Sequence, residues 1–264
     1  MATLESIHQI QSYLRESARS QYQSVALPPF TLFFHPHDSL KYFNYAIPDQ
    51  PCGGDLSAEL AHLKREYQQR GRVPRFEFFE AFAPDLPAAL RANGFVEEAR
   101  QWSMLCLPDQ VRSVPEVPGL EVVALNEQAT DKDIRDFIIA QREGFDPGSI
   151  VTPSEEDLRE SREGFQRHGF RGFLARVDGQ PAGVSAYGRP IHGVTEVAGI
   201  ATREAFRRRG IAALLTEQAV RAAFAEGAQT VCLTAADADA GRVYEKVGFQ
   251  PFSIMLAYID QAAA

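Results

Sequence analysis

The sequence has few of the residues that would place the protein outside a reducing compartment or in a membrane. Its three cysteines, Cys52, Cys106 and Cys232, are odd in number and far apart, which excludes a disulfide scaffold and gives no zinc spacing. No apolar run approaches the roughly 18 residues that a membrane helix needs. The first five residues lack the basic start and apolar core of a signal peptide. We therefore expect a cytoplasmic protein without a membrane partner.

Positive charge is also scarce. Lys and Arg total 27 against 35 Asp and Glu, for a formal net charge of −8, so nucleic acid is not the expected partner. His35 and His37 form a possible metal pair, but no third ligand lies nearby in the sequence, and we expect no metal. With 264 residues the chain is long enough for two modest domains. Nothing in the composition decides between a monomer and a homo-oligomer.

The most informative segment is Arg207-Arg208-Arg209-Gly210-Ile211-Ala212, which follows an apolar, strand-like segment and opens a long amphipathic helix. The first N–H groups of a helix have no intrahelical partner, and the helix dipole favours negative charge there. Gly210 lets a ligand approach the backbone, and the arginines supply fork-shaped donors for phosphate oxygens. The segment therefore predicts a phosphate-binding turn.

The surrounding pattern predicts alternating strands and helices. Asp178-Gly179 indicates a hairpin whose turn Gln180 and Pro181 lengthen, and Thr130 is the expected start of the first helix. The predicted strands are 120–124, 170–177, 181–187, 194–201, 230–235 and 251–258, and the predicted helices are a segment from 130, then 155–167, 210–226 and 238–246.

Two motifs in this order resemble those of the GCN5-related N-acetyltransferases (GNAT). Arg-x-x-Gly-x-Ala at 207–212 resembles the family's acyl-CoA pyrophosphate loop, Gln/Arg-x-x-Gly-x-Gly/Ala. Residues 240–249, AGRVYEKVGF, resemble its Ala-x-x-x-Tyr-x-x-x-Gly-Phe segment. The resemblance implies the acyl-CoA N-acyltransferase fold for residues 114–264, a mixed α/β arrangement in which helices flank a central mixed sheet. It also implies acetyl-CoA as co-substrate.

The family pattern assigns the cofactor contacts. The amides of 208–212 and the side chains of Arg207, Arg208 and Arg209 would hold the pyrophosphate. The strand edge at Ile200, Ala201 and Thr202 would pair with the pantetheine arm, because the family splays two strands apart there. Three residues before the motif alanine, here Ala240, many members carry an Asn that contacts the pantetheine arm, and the resemblance implies that Ala240 and the residue at that position bind the cofactor. This chain has Asp237, which can accept from an amide N–H but cannot donate to a carbonyl.

The same resemblance suggests two catalytic residues. Tyr244 stands at the family's tyrosine position and would protonate the departing CoA thiolate, although a tyrosine packed on the core near Phe249 is the alternative. Glu196 lies on the strand eleven residues before Arg207 and would take the proton of the amine. The alternatives are that Glu196 is a solvated strand carboxylate and that another acid, such as Asp237, is the base.

These assignments imply an N-acetyltransferase that moves an acetyl group from acetyl-CoA to a primary amine by direct attack through a tetrahedral intermediate. The acceptor is a small molecule or a protein amine, and the acidic balance slightly favours a cationic one. The alternative is a non-catalytic acyl-CoA-binding module or a partner-binding scaffold.

The first half contains a faint copy of the second. Residues 75–95 and 229–249 are equal in length, and both predict a strand, a polar break, a helix and then Gly-Phe. Where the basic loop should be, segment 48–55 has Asp49 and Asp55 and no cation. We predict a degenerate copy of the fold at 1–113 that binds no CoA, joined by a linker at 111–118. The alternative is an unrelated α+β domain. The apolar material predicted for the core of this copy, or for an interface, comprises Phe78, Phe79, Phe82, Phe95 and Trp102.

Overall fold

The computed structural model describes residues 4–263, so most of the segment used above to judge an export signal lies outside the described residues. Within this range no helix is long and apolar enough to span a membrane. The helices and strands in chain order are α1 (Leu4–Gln21), β1 (Gln23–Leu27), β2 (Phe30–Phe34), β3 (Asn44–Pro48), α2 (Ser57–Gln69), β4 (Arg75–Phe79), α3 (Leu86–Ala92), β5 (Phe95–Cys106), β6 (Leu120–Leu125), α4 (Asp131–Phe145), α5 (Glu155–Arg167), β7 (Arg171–Val177), β8 (Gln180–Tyr187), β9 (Val194–Thr202), α6 (Ile211–Ala225), β10 (Thr230–Thr234), α7 (Ala238–Val247) and β11 (Gln250–Asp260).

The chain divides into two compact units. Unit 1 holds the described residues up to Ser103 together with those from Pro251 onward, and unit 2 is Met104–Gln250. This division differs from the sequence boundary between 113 and 114 for two reasons. The last residues of β5, Met104 and Cys106, are buried in the core of unit 2, and β11 pairs with β4 inside unit 1. The chain thus passes from unit 1 into unit 2 at Met104 and returns to unit 1 at Pro251.

Unit 2 is built on a mixed sheet in the order β10-β9-β8-β7-β6. Strands β6 to β9 pair antiparallel, and β9 pairs with β10 in parallel. Successive side chains of a strand point to opposite faces, and both faces are apolar. Leu174 faces the core cluster of α4 and α5, whereas its neighbour Ala175 faces that of α6 and α7. Helices therefore cover the sheet on both sides.

The turn between β7 and β8 is shorter than the sequence predicts. Asp178 and Gly179, with φ of 51° and 73°, form a two-residue turn, and Val177 pairs directly with Gln180. Positive φ at both positions is the geometry of the type I′ hairpin, whose twist matches that of the flanking strands. The expectation that Gln180 and Pro181 lengthen the turn is wrong, because both lie in β8, where an irregularity in the ladder accommodates Pro181.

Unit 1 repeats the order of unit 2. From α1 to β5 the order is helix, three strands, helix, strand, helix and strand, which matches α5 to β11. The pairing also matches, because β1, β2 and β3 are antiparallel and β3 meets β4 in parallel. Within unit 1 the sheet continues as β4-β11-β5. Unit 1 is therefore the predicted partial copy of the fold.

The core of unit 1 is aromatic, but it does not include the tryptophan. Phe78, Phe79, Phe82 and Phe95 are buried as predicted, whereas Trp102 is 55% exposed. In a strand with one buried face, alternate residues point outward, and Trp102 is outward-facing in β5 while its neighbour Ser103 is buried. Trp102 is therefore not part of this core, and of the two expected uses of its side chain only the interface is left.

Candidate functional site

The basic loop, residues 207–212, connects the end of β9 to the start of α6. Its geometry suits an anion. Gly210 has φ of 86° and Arg208 has φ of 63°, a backbone conformation that a non-glycine residue rarely adopts. Alternating backbone conformations of this kind turn successive N–H groups toward one concave surface. No side chain caps the N-terminus of α6, so its first amides remain available as donors.

The three arginines of the loop have different surroundings. Arg207 donates from Nε to the carbonyl of Thr202 at 3.1 Å and from Nη2 to the carbonyl of Gly144 at 2.9 Å. Arg209 donates to the carbonyl of Ala205 and lies over the ring of Phe206.

The third arginine, Arg208, is exposed, and its guanidinium has no partner within the described residues. All three were predicted to contact phosphate. The structure indicates that Arg207 and Arg209 first hold the loop together, while Arg208 is the uncommitted cation.

Strands β9 and β10 separate beside this loop. Their parallel ladder comprises only three residue pairs and ends where Glu196 faces Cys232. Beyond Glu196, β9 pairs with β8 alone. That pairing is irregular too, since Val184 pairs with Ala201 and Ala186 with Ala198, which leaves an extra residue in β9. Ile200, Ala201 and Thr202, predicted to contact pantetheine, therefore lie on a stretch of strand edge that β10 does not cover.

The irregularity is centred on Gly199, whose φ of 64° marks a β-bulge in which a glycine takes the left-handed conformation. A Cβ on Gly199 would lie 2.8 Å from Nε2 of Gln141 in α4. A glycine inside a strand pattern often indicates a bulge. Gly199 was therefore a signal in the sequence, but the predicted strand at 194–201 did not include a bulge.

A second missed feature is the close approach of α4 to the end of β9. A Cβ on Gly144 would lie 2.8 Å from Cβ of Ala201, so only glycine fits there. Next to it, Glu143 accepts from Nε of Arg203 at 2.7 Å. Together with the bond from Arg207 to Gly144, these contacts fix the end of α4 against the basic loop.

Glu196 lies where β9 and β10 begin to separate. It is half-buried, and it lies near the Cys232 thiol, whose pKa is raised by burial and then by the negative charge of Glu196. The thiol donates instead to the carbonyl of Thr195. Glu196 is therefore a half-buried carboxylate at the point where β9 and β10 separate.

Tyr244 lies on α7, and its side chain is only 8% exposed. Its ring packs edge-on against Phe249 with centroids 6.3 Å apart. Burial, and then the charge of Asp237, raise the pKa of Tyr244 to about 12. No described residue accepts or donates a hydrogen bond at its hydroxyl. The structure thus supports the packing role and leaves the hydroxyl available for a ligand.

Asp237 is the N-cap of α7. Its carboxylate accepts from the amide of Ala240 at 2.8 Å, which satisfies one of the free donors at the start of the helix. Asp237 and Ala240 are therefore bonded to each other. The second oxygen of Asp237 remains a possible acceptor for an amide N–H.

The counterpart of this opening in unit 1 is filled by the unit itself. Strands β3 and β4 also separate, with one bridge between Ala46 and Phe76. The fully buried Gln11 of α1 accepts there from the amide of Phe79 at 3.1 Å.

The loop after β3 is closed as well. Asp49 accepts from Thr31 Oγ1 at 2.7 Å and lies 3.6 Å from Nε of Arg15. A Cβ on Gly53 would clash with Cβ of Asp85. This segment therefore has neither the cations nor the space of the basic loop, and the absence of CoA from unit 1 stays a prediction.

Among the described residues, no group of three or more His, Cys, Asp or Glu side chains is arranged so that it could hold a metal ion. One ring nitrogen of His35 is bonded to the backbone. Its Nδ1 accepts from the amides of His37 and Asp38, at 3.2 and 2.8 Å.

A mixed sheet whose parallel pair opens beside a basic loop and a helix N-terminus defines the acyl-CoA N-acyltransferase fold in unit 2, and unit 1 is a partial copy without the basic loop. Known structures agree. A GCN5-related N-acetyltransferase from Kribbella flavida is 22% identical, with a TM-score of 0.78 over 96% of this chain and 95% of that one. A tandem GNAT protein from the clavulanic acid biosynthesis pathway is 14% identical, with a TM-score of 0.62 over 96% and 87%. A GCN5-related N-acetyltransferase from Sphaerobacter thermophilus is 17% identical, with a TM-score of 0.61 over 88% and 76%.

The sequence also matches a family model. Residues 136–249 match the acetyltransferase (GNAT) family, a segment that contains α5 to α7 and all the predicted site residues. A comparison with curated proteins finds no match. Residues 136–249 therefore match a GNAT acetyltransferase-family domain, and the family resemblance of the two motifs, which both lie in this segment, is confirmed.

Proposed function

We propose that the protein is an N-acetyltransferase that moves an acetyl group from acetyl-CoA to a primary amine of a small molecule or a protein. The observation that carries the proposal is the coincidence of two features. The ladder between β9 and β10 ends at Glu196, and the uncapped N-terminus of α6 follows the same strand through the basic loop. Phosphate at the loop and an acyl chain along the β9 edge then fit one extended ligand.

The residues would divide the work as follows. Loop amides and Arg208 bind the pyrophosphate. An N–H of the uncovered β9 edge polarises the thioester carbonyl and stabilises the tetrahedral oxyanion. Glu196 takes the proton of the attacking amine, directly or through water. As the C–S bond breaks, the hydroxyl of Tyr244 donates to the CoA sulfur.

The first test is native mass spectrometry of the purified full chain with added acetyl-CoA, followed by thiol release on a panel of primary amines. We expect one CoA per chain and acetyl transfer to at least one amine. Tight CoA binding with no turnover on any amine would favour the binding-module alternative. No CoA binding, or CoA in unit 1, would contradict the proposal.

Replacing Tyr244 with Phe is expected to lower kcat by about tenfold, below the usual range for general acids. The reason is the mismatch of acidities. The pKa of Tyr244 is about 12, and a thiol has a pKa of ~8.5, so full proton transfer is uphill by roughly 5 kcal/mol. A hydrogen bond to the developing thiolate is the larger part of its help. Because the pKa is raised, Tyr244 stays protonated below about pH 12 and adds no basic limb at neutral pH.

The matched control is Tyr187→Phe, which removes the hydroxyl of another buried tyrosine of unit 2, bonded to Glu226. Its kcat should stay within about twofold of the wild type. Equal kcat for Tyr244→Phe and the wild type at saturating substrates would show that the hydroxyl of Tyr244 has no catalytic role and that the residue only packs on the core.

The role of Glu196 is tested by the shape of a pH profile rather than by a single rate. With Glu196→Gln, the acidic limb of kcat/KM that reports the base in the free enzyme should disappear. If the limb persists unchanged in a folded variant, Glu196 is a solvated strand carboxylate and another acid is the base.

A further inference from the structure

The segment between β5 and β6 lies along unit 2 with a regular pattern. We call residues 110–118 the strap. Val111, Val114 and Val117 are half-buried and pack on the core cluster of α6 and α7. A spacing of three is that of the polyproline II helix, and Val111 has φ of −61° and ψ of 125°. The segment predicted as a linker at 111–118 is thus a packed element of unit 2.

One end of the strap is fixed to α7. The amide of Arg112 donates to the carbonyl of Val247 at 2.8 Å. Gly248 follows with φ of 115°, and any Cβ there would clash with the carbonyl of Gln110. This end therefore contacts α7 backbone to backbone.

The middle of the strap is fixed to α6 through a carboxylate. Glu217 is 7% exposed and accepts from the amide of Val114 at 2.9 Å. Its other oxygen accepts from Nε of Arg221 at 2.8 Å. A buried carboxylate is costly unless it accepts hydrogen bonds. The bond from the Val114 amide is therefore favoured, and it fixes the position of the strap along the axis of α6.

The far end of the strap reaches the basic loop. A side-chain carbon of Val117 lies 3.5 Å from the position of a Cβ on Gly210, the residue where α6 begins. We propose that Val117, set in place by Glu217, is a positioning residue for acyl-CoA. It supports the turn at Gly210 so that the loop amides keep their concave arrangement before the ligand arrives. The inference rests on the proposed function.

The test compares two equal truncations in one strap, Val117→Ala beside the loop and Val111→Ala beside α7, in the full chain. Calorimetry with CoA should give a Kd about fivefold higher for Val117→Ala and within about twofold for Val111→Ala. At saturating acetyl-CoA, kcat of Val117→Ala should be unchanged while KM rises. Glu217→Ala should weaken CoA similarly, and Glu217→Gln, which keeps an acceptor for Val114, should restore wild-type affinity.

Hydrogen exchange without ligand gives a readout independent of catalysis. Amides 208–212 should exchange faster in Val117→Ala than in Val111→Ala. If the wild type binds CoA and both truncations leave Kd and exchange alike, the strap has no positioning role. If the wild type itself binds no CoA, the proposed function fails as well. A strap variant that lowers kcat without changing KM would also overturn the inference.

Discussion

Replacing Gly210 with Val is expected to weaken CoA binding by well over tenfold, more than ~1.4 kcal/mol. Gly210 has φ of 86°, and a β-branched residue in that region costs roughly 1–2 kcal/mol. The chain can relieve this strain by turning the peptide units of the loop. That movement disperses the N–H groups on which the phosphate depends. Calorimetry with CoA measures the effect directly.

The chain offers a control on the same helix. Gly227 follows the C-terminus of α6 with φ of 94°, and nothing lies within 4 Å of a Cβ placed there. Gly227→Val should therefore cost similar thermal stability and leave CoA affinity unchanged. Equal affinities for Gly210→Val and the wild type, with both folded, would refute the assignment of the basic loop.

Ending the chain after Gln250 is expected to unfold unit 1 and to leave unit 2 able to bind CoA. The loss removes β11, in which Leu256, Tyr258 and Ile259 are almost fully buried. At about 2 kcal/mol for each buried side chain, on the order of 6 kcal/mol is lost. This is comparable to the whole stability of a typical domain. Unit 2 keeps its own core up to Phe249.

Hydrogen exchange resolved along the sequence checks this prediction. Residues up to Ser103 should lose protection, whereas the strands of unit 2 should keep it. The control ends after Asp260, which retains all of β11 and should protect both units. If residues up to Ser103 remain protected without β11, or if CoA binding is lost together with β11, the division into units is mistaken.

Local chemistry made much of unit 2 predictable from the sequence. The bounds of α5 were predicted residue for residue. At its start Ser154 and Asp157 bond reciprocally across the first turn. The start of α6 after Gly210 followed from helix-terminus chemistry in the same way. The degenerate copy was visible because strand, helix and Gly-Phe recur at equal spacing.

Contacts distant in the sequence were not predictable. The pairing of β11 with β4, with Met255 opposite Phe79, depends on which sheet receives the strand, and the residues of β11 fit either. The hydrogen bond from Arg207 to the carbonyl of Gly144 could not be predicted for the same reason, because Gly144 belongs to α4, far away in the sequence. The strap did have a local signal, which is valine at every third position among prolines. Such a pattern indicates that one side of the segment is buried, but it does not indicate which helices the segment packs against.

The return of the chain to unit 1 also sets the order in which the protein can form during synthesis. N-terminal domains generally fold first as they leave the ribosome. Here unit 1 lacks β11, which lies between β4 and β5 in its sheet, until residues 250–260 have been made. Unit 2 is complete earlier, since all of Met104–Gln250 precedes that strand. We therefore expect unit 2 to be complete in the nascent chain first, while the sheet of the aromatic N-terminal unit still lacks one strand.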